Sequence, residues 1–164
     1  MVVSDPELWK KHGAEIEALA NQGARVLLLF DGGKSYTVGG NEYKSATLNG
    51  LTFAARNKDH PVTHGFETDE LSFWYDRTEK RIGFIADEAL PDDRLSPLVF
   101  TYENDWMKLY TFSGLQTLSK KKIPLLGQLI TGAGCIFMST IRFAAFCGAA
   151  PAADALLRNC LIGD

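Results

Sequence analysis

The 164-residue chain is poor in cysteine and histidine and has no excess of basic charge. Its three cysteines, Cys135, Cys147 and Cys160, are an odd number with no Cys-x-x-Cys pair, so they outline neither a disulfide framework nor a metal site. Thiols used this way fit a reducing compartment, with the cytoplasm the expected one. Lys plus Arg number 17 against 20 Asp plus Glu, and no basic stripe is present beyond Lys120–Lys122. Nucleic-acid affinity rests on phosphate neutralisation, so no nucleic-acid partner is expected. Met1–Pro6 lacks the basic and apolar segments of a secretory signal. Val2 and Val3 read as the end of a buried strand, so the chain is expected to begin partway through a structural unit, as a fragment or an engineered chain. Ile123–Ile141 carries no charge, but Pro, Gly, Gln, Thr and Ser interrupt it and Gly132-Ala133-Gly134 has turn chemistry. No membrane helix is expected there.

With 46% hydrophobic residues and 23% charged, a chain of this length can bury roughly 70% of its unfolded surface in one core. Ser4 or Asp5 can cap a helix with Pro6 in its first turn, Ser4-x-x-Glu7 has capping-box spacing, and Gly23 ends it. Leu8, His12, Ile16, Leu19 and Ala20 form the expected apolar stripe. Arg25–Phe30 follows as a continuous apolar run, the pattern of a parallel strand covered on both faces. With Val2 and Val3 in front, this is a βαβ unit. Asp31-Gly32-Gly33-Lys34-Ser35 then opens a long loop at the strand's carboxyl end, the edge where open α/β sheets bind ligands. A hairpin is suggested near Asn49-Gly50. His60–Phe66 reads as extended because Pro61 biases His60 away from helix, and Asp69–Asp76 as a short helix. Strands are expected at Ile82–Ala86, Leu98–Tyr102, Met107–Phe112 and Cys135–Ile141. Leu125–Ile130 pairs with the last across the Gly132–Gly134 turn, and a helix at Ala152–Leu161 closes the chain. No internal repeat, linker or low-complexity tract divides it, so residues 1–164 are expected to form one α/β domain.

The chemistry-bearing residues give few complete patterns. Gly33-Lys34-Ser35 ends like a phosphate loop, but G-x-x-x-x-G-K-[ST] needs glycine where Leu28 stands in the strand. Lys34, Ser35 and Tyr36 remain candidates for contact with a small ligand, together with Asp31. His60 and His64 are four apart in a stretch that Pro61 holds extended, with no accompanying ligand pattern, so no metal is expected. Cys135 falls inside an apolar strand, where thiols are inert, and Cys147 has no identifiable base. Asp69-Glu70, Asp87-Glu88 and Asp92-Asp93 are neighbours in sequence, which does not supply the facing carboxylates of a glycosidase. Phe73, Trp74, Tyr75, Tyr102 and Trp106 read either as core and rim or as a sugar-stacking platform.

Three segments carry a resemblance. Leu28-Leu29-Phe30-Asp31-Gly32-Gly33-Lys34-Ser35-Tyr36-Thr37-Val38-Gly39, His60-Pro61-Val62-Thr63-His64-Gly65-Phe66 and Asp69-Glu70-Leu71-Ser72-Phe73-Trp74-Tyr75-Asp76 resemble the C-terminal domain of bacterial glycoside hydrolase family 2 enzymes, the β-galactosidase and β-mannosidase group. The tail, Gly132–Met138 and Pro151–Leu157, is similar to that domain's closing turn, strand and helix. Such domains are similar to the class I glutamine amidotransferase and trehalose-utilisation group. The resemblance therefore implies a flavodoxin-like layered fold with a mostly parallel central sheet and a C-terminal antiparallel hairpin. Amidotransferases carry a nucleophilic cysteine followed by His-x-Glu; here His12, His60 and His64 all precede the cysteines and no His-x-Glu occurs. The family's catalytic glutamates lie in a barrel domain that nothing here matches. The resemblance implies a noncatalytic accessory domain without cofactor, whose partners are the other domains of a parent hydrolase, carbohydrate or a second copy of the chain. A sugar-binding module and a small trehalose-utilisation-like enzyme are the alternatives. The expected ligand contacts are Asp31, Lys34, Ser35, Tyr36, His60, Trp74 and Tyr75.

Overall fold

Asp5 starts the first helix. Its carboxylate accepts the Glu7 backbone N–H at 2.9 Å, so of the two candidate caps Asp5 fills the role, and Pro6 takes the first helical position, where its missing N–H costs nothing. A computed structural model describes residues 1–30, 32–47, 54–66, 75–76, 81–82, 88–102 and 121–163. Helix α1 spans Pro6–Asn21 between β1 (Val2–Val3) and β2 (Arg25–Leu29). The two strands pair in parallel, Val2 with Leu27 and Val3 with Leu28, which completes the expected βαβ unit.

The helix buries a different stripe from the expected one. Trp9, Gly13, Ile16 and Ala20 face the sheet, whereas Leu8 and Leu19 are each 46% exposed. The Trp9 indole decides the rotation: its N–H donates to the Thr37 carbonyl at 2.7 Å and its ring lies over Gly13, where a Cβ would approach the indole to 3.1 Å. Trp9 buries more apolar area than either leucine and also gains a partner for its N–H.

Past β2 the expected loop is largely a hairpin of β3 (Ser35–Val38) and β4 (Asn41–Lys44). Gly39 and Gly40 form its two-residue turn with φ of 56° and 76°, the left-handed pair that a tight hairpin requires. Tyr36, Val38 and Tyr43 are buried while Thr37 and Glu42 are exposed, a period-two alternation. Short strands follow at β5 (Ala46–Thr47), β6 (Ala55–Arg56), β7 (Tyr75–Asp76), β8 (Arg81–Ile82) and β9 (Glu88–Ala89). His60 is extended, as the pre-proline rule requires, but Pro61–Thr63 closes into a 3-10 turn rather than continuing extended. Proline's fixed φ suits a first helical position as well as a strand.

Two long strands, β10 (Ser96–Tyr102) and β11 (Lys122–Thr131), and then β12 (Gly134–Ser139) complete the sheet. Among the described residues its order is β1-β2-β12-β11-β10-β6. The β1, β2 and β12 neighbours are parallel, and β12, β11, β10 and β6 are antiparallel. The architecture is thus mixed α/β, parallel in the half built by the first βαβ unit and antiparallel in the half built by the hairpin β11–β12, whose turn is the expected Gly132–Gly134. The uncharged run Ile123–Ile141 is this hairpin, and no helix among the described residues is long and apolar enough to cross a membrane. Register shifts between Pro97 and Phe100 lie opposite Pro124, where two prolines deprive the ladder of donors. Helix α2 (Phe143–Phe146) and helix α3 (Pro151–Leu161) end the chain. The expected strands at 83–86 and 107–112, the Asn49-Gly50 turn and positions 69–74 of the expected helix lie outside the described residues.

The core forms two clusters, one on each face of the sheet. Val26, Leu28, Phe30, Ile136 and Met138 meet α1 and the β3–β4 hairpin. Leu27, Leu29, Cys135 and Phe137 meet Val62 and Phe143 and, from α3, Ala153, Leu156 and Cys160. Each fully buried Leu, Ile or Phe contributes about 1.5–3 kcal/mol relative to exposure, so both covering layers are held on mainly by these contacts.

Gly134, at the start of β12, packs against the end of α1 and the α1–β2 connection. A Cβ on it would overlap the carbonyl oxygens of Ala20 and Ala24, backbone groups at the end of α1 that have little room to move. Gly134→Ala should lower unfolding stability by about 1–3 kcal/mol or more through overpacking, whereas Gly148→Ala, at φ 81° with nothing within 4 Å, should lose only the ~1–2 kcal/mol of a left-handed residue. Urea unfolding of the two variants checks the order.

Candidate functional site

The carboxyl end of β2 leads into a short turn in which Gly32 and Gly33 have φ of 80° and 74°. The Gly33 N–H donates to a Glu88 carboxylate oxygen at 3.3 Å, and the same oxygen accepts the Ser45 hydroxyl at 3.2 Å. Glu88 on β9 therefore ties this exit to Ser45, the residue between β4 and β5. Lys34 and Ser35 are half-buried beside it, and Asp31 lies outside the described residues. Tyr36 is buried: its hydroxyl donates to the Leu29 carbonyl at 2.9 Å, and its ring meets Phe30 edge-on at 4.8 Å and Trp9 at 6.1 Å. Burial, with a smaller contribution from the Asp5 charge, pushes its phenol up to about 12. Tyr36 is a neutral hydrogen-bond donor committed to β2.

An open groove of about 530 Å³ runs between α1 and β3, with Trp9, Gly13 and Tyr36 forming its floor and Glu17, Ser35 and Glu42 among its walls. Its size falls within the range of small-molecule pockets. The aromatic rings of the floor are almost fully covered, Trp9 to 3% exposure and Tyr36 to 2%, so neither presents a free face for stacking. Glu17 holds the hairpin turn, accepting the Gly39 N–H at 3.0 Å.

His60 lies on the other face of the sheet, so the structure does not bring it together with Lys34, Ser35 and Tyr36. Its Nδ1 accepts the Val62 N–H at 3.2 Å, which leaves the proton on Nε2, 3.0 Å from the Gln128 amide oxygen of β11. Both ring nitrogens are engaged in hydrogen bonds to the scaffold. Asn159 of α3 donates to the Val62 carbonyl at 3.1 Å and binds the same turn from its other side. His64 is exposed. Trp74 lies outside the described residues, and Tyr75 pairs with Ile82 in the β7–β8 ladder.

Cys160 stands on α3 and Cys147 just after α2, and Cys135 on β12 belongs to the core cluster they cover. Cys160 is fully buried, and burial pushes its thiol up to about 12 against the opposing influence of Arg25. The Cys147 thiol is also raised, by burial and then by the Asp154 carboxylate beside it. Neither is poised as a thiolate. Among the described residues no three His, Cys, Asp or Glu side chains are grouped to hold a metal ion.

Compared with protein-family models, with curated proteins and with solved structures, the chain matches none.

Sequence reasoning missed the tethers around these positions. Trp9 and Gly13 at i and i+4 were the available sign of a ring laid across a bare helix position. Glu88 and Asn159, bonded to groups 55 and 97 positions away, left no local sign at all.

The thiol environments generate a direct check. In native protein at pH 8, iodoacetamide should modify Cys147 first and more slowly than a free cysteine, while Cys135 and Cys160 react only as the protein unfolds. Peptide mapping against time checks this, and rapid labelling of Cys160 in folded protein would show that its layer opens.

Proposed function

We propose that this chain is a noncatalytic accessory domain of a larger glycoside hydrolase of the β-galactosidase and β-mannosidase group, serving interdomain packing, oligomer contacts or one wall of the substrate cleft. The residue resemblance at Leu28–Gly39, His60–Phe66 and Asp69–Asp76 supports the parent class. The observation that carries the accessory role is the state of the chemistry-bearing side chains: both His60 nitrogens, the Tyr36 hydroxyl and the Glu88 carboxylate are hydrogen-bonded into the scaffold. Groups fixed this way hold strands and turns together, and a catalyst needs them aimed at substrate.

The flavodoxin-like layering belongs to the same proposal. It is supported by the β1-α1-β2 unit, by the turn at the carboxyl end of β2 and by helices on both faces of the parallel half. Functions are grafted onto such folds, so the layering by itself assigns none. A sugar-binding role is the second reading, favoured by the groove beside Ser35.

The test is immunodetection in a lysate of the source cells, with aryl β-galactoside and β-mannoside hydrolysis measured on the captured material. The expected result is one polypeptide several times heavier than 18.1 kDa that carries glycosidase activity. A band at 18.1 kDa without activity would overturn the accessory-domain reading.

A further inference from the structure

The groove of about 530 Å³ between α1 and the β3–β4 hairpin has walls that are fixed without a ligand. The Trp9 indole on the Thr37 carbonyl and the Tyr36 hydroxyl on the Leu29 carbonyl pin its floor. Glu17 of α1 holds the hairpin turn through the Gly39 N–H. Arg94 donates to the Glu42 carbonyl at 3.0 Å and lies 4.3 Å from the centre of the Tyr43 ring, which steadies β4 from behind. Gly13 contributes no side chain to fill the space. A site of this kind needs no reorganisation to receive a ligand.

Both positive features at the groove are taken up by the protein itself. Lys10 is bound to Glu7 at 2.6 Å, and the Asp5 carboxylate caps the first turn of α1. Two carboxylates remain, Glu17 from the helix and Glu42 from the hairpin. Glu17 is half-buried and engaged through one oxygen. Glu42 is exposed, and its carboxylate has no hydrogen-bond or ion-pair partner among the described residues. Thr37 stands directly opposite Glu42 across the hairpin, and Ser35, two positions earlier, lies on the same face. Hydroxyl groups therefore flank one of the two carboxylates.

This arrangement selects among ligands. An anion meets negative charge on both walls. A flat aromatic compound finds no free ring face, because Trp9 and Tyr36 are covered. A bare metal ion lacks a third grouped ligand among the described residues. An ammonium group supplies only donors, as carboxylates require, and hydroxyls both give and accept hydrogen bonds at serine and threonine.

We propose that the groove binds a small hydroxylated primary amine, the class to which amino sugars belong, with its ammonium group at Glu17 and Glu42 and its hydroxyls at Ser35 and Thr37. The inference rests on the sugar-binding reading of the same groove and names the group that selects the ligand.

The test titrates the full chain at pH 6 with glucosamine and, in parallel, with glucose, which has the same ring without the amine, at constant ionic strength set by sodium chloride. The readout is the backbone amide resonances of Ser35, Thr37 and Glu42. Glucosamine should shift them saturably and bind about fivefold or more tighter than glucose. Glu42→Gln, a substitution at an exposed side chain, should weaken glucosamine about two- to fivefold, the loss expected for one exposed charge pair, and leave glucose binding and the melting temperature unchanged. Equal binding of the two sugars, or glucosamine binding unchanged by Glu42→Gln, would overturn the ammonium inference while the sugar-binding reading stands. No saturable shift with either sugar would overturn both.

Discussion

Strands β2 and β12 are apolar on both faces, and covering those two faces is the constraint that organises the rest of the chain. Leu27 and Leu28 point to opposite sides, and both are fully buried. Phe137 and Met138 repeat the arrangement on the neighbouring strand. A sheet centre of this kind cannot leave either side to water, so the chain places α1 and the β3–β4 hairpin on one face and the 3-10 turn with α3 on the other.

Hydrophobic contact holds the layers on but does not fix their angle, and the polar side chains do. On one face Trp9 bonds Thr37 and Tyr36 bonds Leu29, joining helix, hairpin and strand through two donors whose rings are also buried. On the other, Asn159 bonds Val62, His60 bonds Gln128, and Arg25 bonds the Asn159 carbonyl at 2.9 Å with its guanidinium 5.7 Å from the centre of the Phe137 ring. Between the layers, Ser139 donates to Leu125 and accepts from Ile141 at the end of β12. Tyr36 and His60, two of the side chains expected to contact a ligand, are among these ties.

The elements most legible in the sequence are those whose signal is local. The helix 6–21, the buried strand 25–29 and the β11–β12 hairpin each announce themselves through a cap, an apolar run or a glycine turn, and each lies within a few residues of its expected place. The rotation of α1 was not legible, because leucines at 8 and 19 fit the helical period as well as Trp9 and Gly13 do. Only the Thr37 carbonyl, contributed by another element, separates the two. Tyr36 was legible as belonging to the important edge of the sheet but not as core, since its burial depends on Phe30 and Trp9 meeting it from two elements. His60 was placed correctly in backbone terms and misjudged in company: Gln128, the partner of its Nε2, lies 68 positions away.

If the two-sided cover of β2 and β12 is what the remaining structure depends on, the layers cannot be lost one at a time while the strands stay protected. Native-state hydrogen exchange of the backbone amides at 26–29 and 136–139, followed as a function of urea, tests this most directly. These amides should exchange only through global unfolding, with an opening free energy equal to that from the denaturation curve. Exchange through a smaller opening, with α1 or α3 released while the other layer remains protected, would contradict the account.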